Sequence, residues 1–315
     1  MTLNVQDCDN IICPEPLKKG DKVVIVSPSG AVKPEFVLGE AEALKRQGWD
    51  AEIAPNAMGK YLSYSGTIHE RIADFKDALL DPEVKAIFCA RGGYGAVQLL
   101  ATLDGMPLRE CAKWIVGYSD ISALHALMVS NGIVSIHAPM ARHLSSSFGS
   151  DPDSEKLFSI LRGICPSYTF ASNPMNRSGV AEGTIVGGNL AVLSALISTP
   201  YDIFAPGIIL FIEDIAEPVY KVERIFYQLK LSGKLAGIAG LIVGQFTDYK
   251  IVDGMPTMYE TILAMVEEYD FPVVFDAPIG HVSYNVPIPV SSWANLSVDD
   301  NRINLKCSFP QNKVS

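Results

Sequence analysis

The segment WIVGYSDISALHAL joins an apolar run to a helix-like run through Gly117, Tyr118, Ser119 and Asp120. A serine at a tight strand-to-helix turn projects its hydroxyl outward. The helix N-terminus and the amide of the next residue, here Asp120, then face any negative charge developing on a substrate oxygen. The pattern departs from the hydrolase form Gly-x-Ser-x-Gly, because Ile121 stands where the second glycine would be. Taken alone, Ser or Asp at a helix start is more often a simple N-cap. A second segment, Arg91-Gly92-Gly93-Tyr94-Gly95, follows the apolar run KAIFCA. Three glycines around one turn expose backbone amides and permit close approach, so Gly92 or Gly93 is a candidate second oxyanion donor beside Asp120. The alternative is a turn that merely permits tight packing. A phosphate cradle would need the Lys-Ser/Thr ending of a P-loop or G-x-G-x-x-G spacing, and neither is present.

A nucleophilic serine needs a base, and the chain has five histidines. His69 falls on a polar helix face and should be solvated. His125 lies in the helix after Ser119, where packing or capping is the expected role. His137 and His143 flank a strand end, where they would line a cleft or make a structural hydrogen bond; their spacing matches no recognised metal motif. His281 follows PVVFDAPIG at a strand end, from which a loop can deliver it into a cleft. It is the preferred base. The orienting carboxylate should also leave a strand end. Glu213 in ILFIEDI does so, with Asp214 as the competing choice, and strand alternation would let only one of them meet the histidine. An acid at such a position is otherwise a solvated cap. The run EPVYKVERIFYQL behind it carries Glu217, Tyr220 and Arg224, read as surface charge and cleft wall.

The elements that must position these groups alternate in type. KVVIVSPSG is a β-branched run stopping at a loop. Pro34 to about Gln47 reads as a helix ending at Gly48, with Phe36, Val37, Ala41 and Leu44 on one face. Thr67 and Glu70 form a capping-box signature before the stripe Ile68, Ile72, Phe75 and Leu79. KAIFCA, WIVG and IVSI follow as strands, with helices expected over about 94–103 and 120–129. Such alternation implies right-handed crossovers and a doubly wound, mostly parallel α/β sheet. SSSFGSDPDSEK and SNPMNRSG mark a break, so the expected domains are 1–165, carrying the nucleophile, and 166–315, carrying the acid and histidine. In the second, GIILFIED, AGLIVGQF and PVVFDAPIG read as strands around a helix over about 219–231. The alternating tail adds antiparallel strands, making a mixed α/β domain.

Bulk properties narrow the partners. A length of 315 residues suits two domains, and 48% apolar with 19% charged residues is ordinary globular composition. A formal charge of -10 without clustered Lys and Arg disfavours nucleic acid and anionic membranes, leaving a small or neutral partner. No secretory signal and no membrane-length apolar run are evident, so a soluble, cytoplasmic protein is expected. Six cysteines, Cys8, Cys13, Cys89, Cys111, Cys165 and Cys307, lack a Cys-x-x-Cys pair and read as reduced thiols rather than disulfides or a zinc site.

Several segments together resemble the LD-carboxypeptidase family of serine peptidases, which includes microcin-immunity-type members: GDKVVIVSPSG, ARGGYG, VGYSDISALH, HAPM, GTIVGGNLAVLSAL, LFIEDIAEPVYKVERIFYQL and PIGHVSYNVPIPV. They occur in family order over nearly the whole chain. The resemblance implies a Ser-Glu-His triad of Ser119, Glu213 and His281 at a domain interface, no cofactor, and a homodimer. It implies cleavage between an L-configured centre and a D-amino acid, typically the terminal D-alanine of murein tetrapeptide during cell-wall recycling. Such a substrate ends in a carboxylate, for which Arg91, Asn189 and Arg224 are candidate receivers, with Tyr94 as a further substrate contact. The departures are Ser291-Ser292 in place of a more usual glycine and Ala138 where His-Gly-Pro-Met is common. Two rivals stand beside this reading: a peptidase acting on a peptidyl- or aminoacyl-nucleotide toxin, and a non-catalytic peptide- or sugar-binding module with a glycine-lined cleft.

Overall fold

The computed structural model describes residues 10–310; Cys8 and the rest of the first nine residues of the polar leader lie outside the described residues. The chain divides into two compact units, one built from residues 11–164 and 286–290, the other from 165–285 and 291–310.

In the first unit β1 (Lys22–Val26), β2 (Asp50–Ile53), β3 (Val84–Cys89), β4 (Trp114–Gly117) and β5 (Ser135–His137) are all parallel and lie in the order 2-1-3-4-5. That order belongs to a doubly wound sheet. Its strand sequence reverses at the β1/β3 boundary, and ligand crevices form at such a reversal beyond the carboxyl ends of the strands. The strands are apolar on both faces, with Val23, Ile25, Ile87, Phe88, Trp114 and Ile115 fully buried, as a sheet covered by crossovers requires. The helices are α1 (Pro34–Arg46), α2 (Ile68–Leu80), α3 (Leu100–Asp104), α4 (Ser122–Ser130), α5 (Ala141–Ser147) and α6 (Pro152–Leu161). α2 starts with the Thr67/Glu70 capping box read from sequence. Its buried face includes Arg71 and Asp74 beside Phe75 and Leu79, while Ile68 is exposed. α1 buries Val37, Ala41 and Leu44 but also Glu40, a polar residue within the apolar stripe.

The second unit contains β6 (Ser167–Phe170), β7 (Gly179–Asn189), β8 (Ile209–Ile215), β9 (Gly240–Thr247) and β10 (Val273–Val274), with helices α7 (Leu190–Ser194), α8 (Val219–Leu231) and α9 (Met258–Val266). The tail supplies β11 (Ile288–Val290), β12 (Trp293–Val298) and β13 (Ile303–Ser308). The seven-stranded sheet runs β10-β9-β8-β7-β12-β13-β6, parallel from β10 to β7 and antiparallel beyond. This is the mixed α/β sheet expected of this half. β11 instead pairs antiparallel with β5 and completes the six-stranded sheet of the first unit.

Local differences from the sequence reading have physical causes. The helix expected from about residue 94 begins only at Ala96, because Gly93 and Gly95 hold φ of 112° and 115°, outside helical space. PVVFDAPIG forms a ladder only at Val273–Val274 and bends beyond it, with Asp276 at φ 65° and Gly280 at φ 122°. Strands β2 and β7 carry too weak an apolar signal to be read. Among the described residues no helix is long and apolar enough to cross a membrane, and Cys13, Cys89, Cys111, Cys165 and Cys307 form no disulfide with one another.

Candidate active site

In the first unit, β4 ends at Gly117 and the chain turns through extended Tyr118 into a short 3-10 turn, Ser119–Ile121, that continues as α4. Ser119 sits at φ 66°, a left-handed conformation that costs a non-glycine residue on the order of 1–3 kcal/mol. The backbone here makes a tight, strained strand-to-helix elbow. The turn leads into α4, buried from Ser122 to Val129, and His125 on that helix braces the strand end. The His125 ring bridges the Gly117 carbonyl and the Ser135 hydroxyl, both at 2.8 Å. Burial pushes the His125 pKa down to about 4, so this ring is a neutral strut, in line with the packing role read from sequence. His137, in contrast, lines no surface: it is fully buried in β5, its ring 5.7 Å from that of Tyr118.

The glycine loop lies directly against the elbow. A Cβ on Gly92 would meet Ser119 Cβ at 2.8 Å, Ser119 Oγ at 2.9 Å and the Asp120 amide nitrogen at 3.2 Å. Only hydrogen fits there, which brings the Gly92–Gly93 backbone beside the serine hydroxyl. The Gly30 amide donates to the Gly92 carbonyl at 3.0 Å, tying the loop after β1 to the loop after β3 across the sheet's order reversal. Arg91 is exposed and donates to the Ala31 carbonyl. Tyr94 is 54% exposed and packs edge-on against Tyr64, with ring centroids 4.9 Å apart. Thus Ser119, Asp120, Gly92, Gly93, Arg91 and Tyr94 occupy one loop cluster at the carboxyl edge of this sheet.

The second unit pairs the other two chemical groups. Glu213 lies in β8 where its ladder with β9 shifts register between Ile212 and Asp214, an irregularity of the kind that re-aims side chains. Its carboxylate is fully buried, and Oε2 accepts from His281 Nδ1 at 2.8 Å. With Nδ1 so engaged, Nε2 is the ring nitrogen suited to taking a proton. Burial alone would lower the His281 pKa. The hydrogen bond and charge of Glu213, with Asp214 and Asp248 nearby, outweigh it, and the net direction is upward.

Gly280 makes the pairing possible. Its φ is 122°, and a Cβ there would stand 2.8 Å from Glu213 Cβ and Oε2. Asn285 Oδ1 accepts from the Gly280 amide at 2.9 Å and fixes the turn, a role that sequence reading missed. Asp214 does not meet the histidine. Its carboxylate accepts from Asn189 Nδ2 and the Ala191 and Ile215 amides, all at 2.9 Å. Burial and neighbouring Glu213 raise its pKa to about 6. Asn189 pairs with Glu213 in the β7–β8 register, N-caps α7 through the Val192 amide, and is buried. Arg224 is exposed on α8 with its guanidinium over the Tyr220 ring.

His143, Asp151 and Asp153 bring ligand atoms within 4.8 Å of one another and are the described group with metal-binding donors. Asp151 already accepts from His143 Nε2, the Ser147 and Ser154 hydroxyls and the Asp153 and Ser154 amides, as the N-cap of α6. These bonds give Asp151 a structural role as a helix cap.

Comparison with known proteins places this geometry. Residues 23–138 match the LD-carboxypeptidase N-terminal domain, and residues 182–296 match the LD-carboxypeptidase C-terminal domain. The murein tetrapeptide carboxypeptidase of Pseudomonas aeruginosa is 30% identical over 87% of this chain and 92% of its own. The microcin C7 self-immunity protein MccF of Escherichia coli is 28% identical over 92% of this chain and 94% of its own. The crystal structure of muramoyltetrapeptide carboxypeptidase from Oxalobacter formigenes superposes with a TM-score of 0.78 at 27% identity, covering 92% of this chain and all of that one. With both domain models matched in order and a 30% identical relative spanning most of its length, the chain belongs to the LD-carboxypeptidase family.

Proposed function

We propose that this chain is a serine LD-carboxypeptidase that releases the terminal D-alanine of murein tetrapeptide in cell-wall recycling. The observation that carries the reading is the pair of half-sites: a strained serine elbow packed on a glycine loop, and a buried carboxylate holding the Nδ1 of a histidine. In the proposed reaction neutral His281 takes the Ser119 proton through Nε2 as the hydroxyl oxygen attacks the scissile carbonyl. Glu213 fixes the tautomer and balances the imidazolium. The amides of Asp120 and of Gly92 or Gly93 hold the tetrahedral oxyanion, at about 3 kcal/mol per donor. The imidazolium returns its proton to the leaving amine of D-alanine, and water, deprotonated by the same ring, hydrolyses the acyl-enzyme. This route uses no metal or cofactor.

Arg91, Asn189 and Arg224 are the proposed carboxylate receivers, with Tyr94 as a substrate contact. Asn189 is the weakest of these, because its amide is already committed to Asp214 and Val192. A cytoplasmic homodimer is proposed with this role. The relative named for microcin immunity supports a second reading, in which the same site hydrolyses a peptidyl- or aminoacyl-nucleotide. Incubation with muramoyl tetrapeptide and with an aminoacyl-nucleotide conjugate, followed by product analysis, separates them. Free D-alanine from the first supports the proposal, and hydrolysis of the conjugate alone overturns it. Turnover of neither, with no labelling of Ser119 by a fluorophosphonate, would favour a binding module.

A further inference from the structure

The oxyanion role proposed for Asp120 uses only its main-chain amide, yet its side chain is 5% exposed and fully engaged in the same loop cluster. Oδ2 accepts from the Ser29 hydroxyl at 2.6 Å and from the Ala96 amide at 2.8 Å. Ser29 belongs to the loop after β1 and is itself fully buried. Ala96 closes the glycine loop. One carboxylate oxygen therefore joins the elbow to both loops that flank the reversal in strand order.

Further contacts hold the two loops together. The Gly30 amide holds the Gly92 carbonyl, and the Ser65 amide holds the Ser29 carbonyl at 3.1 Å. Buried Arg71 donates to the carbonyls of Pro28 at 2.8 Å, Gly95 at 3.1 Å and Gly66 at 3.2 Å. These bonds tie the loops to each other. The Asp120 carboxylate links both of them to the residue after Ser119.

We propose that Asp120 is a positioning residue: its side chain fixes the separation between the Ser119 hydroxyl and the glycine-loop amides, so that attack and oxyanion binding occur in one geometry. The inference rests on Ser119 being the nucleophile. A merely structural carboxylate would change melting temperature and leave the reactivity of the folded fraction intact. A positioning carboxylate sets kcat and the intrinsic reactivity of Ser119 while leaving KM alone.

The test compares Asp120→Ala, Asp120→Asn and Ser29→Ala by kcat and KM for D-alanine release, by the fluorophosphonate labelling rate of Ser119, and by melting temperature. Loss of alignment costs on the order of 10–100-fold in kcat and in labelling for the alanine variant, with KM within about threefold. Asparagine keeps an acceptor oxygen and should recover to within about fivefold of wild type, whereas Ser29→Ala removes one of two donors and should fall between. Wild-type labelling in folded Asp120→Ala overturns the inference, as does an asparagine variant no faster than alanine. If Asp120→Ala does not fold, wild-type labelling in Ser29→Ala overturns it instead. If wild-type protein labels at Ser119 but releases no D-alanine, the substrate reading fails and this inference stands on the labelling series. A wild type unlabelled at Ser119 removes the nucleophile and this inference with it.

Discussion

Gly92→Ala is the substitution whose effect follows most directly from the coordinates. Gly92 is absent from the residues with positive φ, so alanine meets no backbone penalty and the perturbation is contact alone. The added methyl would lie 2.8 Å from Ser119 Cβ and 2.9 Å from Oγ. Ordinary van der Waals separation starts near 3.4 Å. The loop and the elbow must therefore part by roughly half an ångström or more, and a 1 Å misplacement of reacting groups costs about 100-fold. The elbow has little freedom to yield, because Ser119 is already strained and the Gly117 carbonyl is held by His125. Oxyanion donors on the glycine loop would retreat with it. The expected loss in kcat is about 10–100-fold, equivalent to about 1.4–2.7 kcal/mol of transition-state stabilisation. KM should change by less than about threefold. Steady-state release of D-alanine from muramoyl tetrapeptide gives both constants, and a thermal melt confirms the fold. Wild-type kcat in a well-folded Gly92→Ala protein would refute the placement of the glycine loop as part of the catalytic surface.

The raised His281 pKa sets a pH dependence: a base must be neutral, so kcat/KM should climb with pH through an apparent pKa above the ordinary 6.5. Glu213→Gln removes the charge that raises it. The acid limb should then move to lower pH as kcat falls on the order of 10²–10⁴-fold, and a limb that does not move contradicts the assignment. Glu40 offers a stability test away from the site. Burial raises its pKa from 4.5 to about 8, and neither carboxyl oxygen has a hydrogen-bond partner among the described residues. Between those values the folded chain retains a proton that the unfolded chain has released, so stability falls as pH rises through the window, by about 5 kcal/mol at most. Glu40→Met should flatten that slope in denaturant titrations at pH 5 and pH 8.5, and an unchanged slope would show the loss to arise elsewhere.

What the sequence disclosed was mostly local chemistry. The strand-to-helix turn at Ser119, the capping box at Thr67 and the alternation around β1, β3, β4 and β8 depend on neighbouring residues, and their patterns are visible in one dimension. Strand β7 was not, since Gly179, Gly183, Gly187 and Gly188 dilute its apolar signal. Two of those glycines answer to distant backbone: a Cβ on Gly187 would stand 1.8 Å from the Phe211 carbonyl oxygen, and one on Gly183 2.1 Å from that of Gly207. Nor does local pattern send β11 to the first sheet, because its partner β5 is about 150 positions away. Just after it, Ser291 holds φ 71°, a left-handed conformation that glycine adopts without strain.

The candidate site divides the same way. Ser119, Glu213 and His281 were legible as residue types after apolar runs, but of the three only Ser119 follows a strand end: Glu213 lies inside β8, and a bent segment separates His281 from β10. The contributions of Ser29, Arg71, Asn285 and the Asp120 side chain were not, because each contacts segments brought together only by the topology. Asp214 shows the limit of alternation as a guide: a register shift at Glu213 buries both acids, and hydrogen-bond partners rather than strand period separate their roles.

The central claim is that hydroxyl, imidazole and carboxylate work as one unit. Residues that act as a unit are strongly non-additive, since removing a second member costs little once the first is gone. The decisive measurement is kcat/KM for D-alanine release by Ser119→Ala, His281→Ala and the double variant. The expected result is a double variant within about threefold of either single one. Losses that multiply, or a Ser119→Ala protein that still turns over at the wild-type rate, would contradict the account.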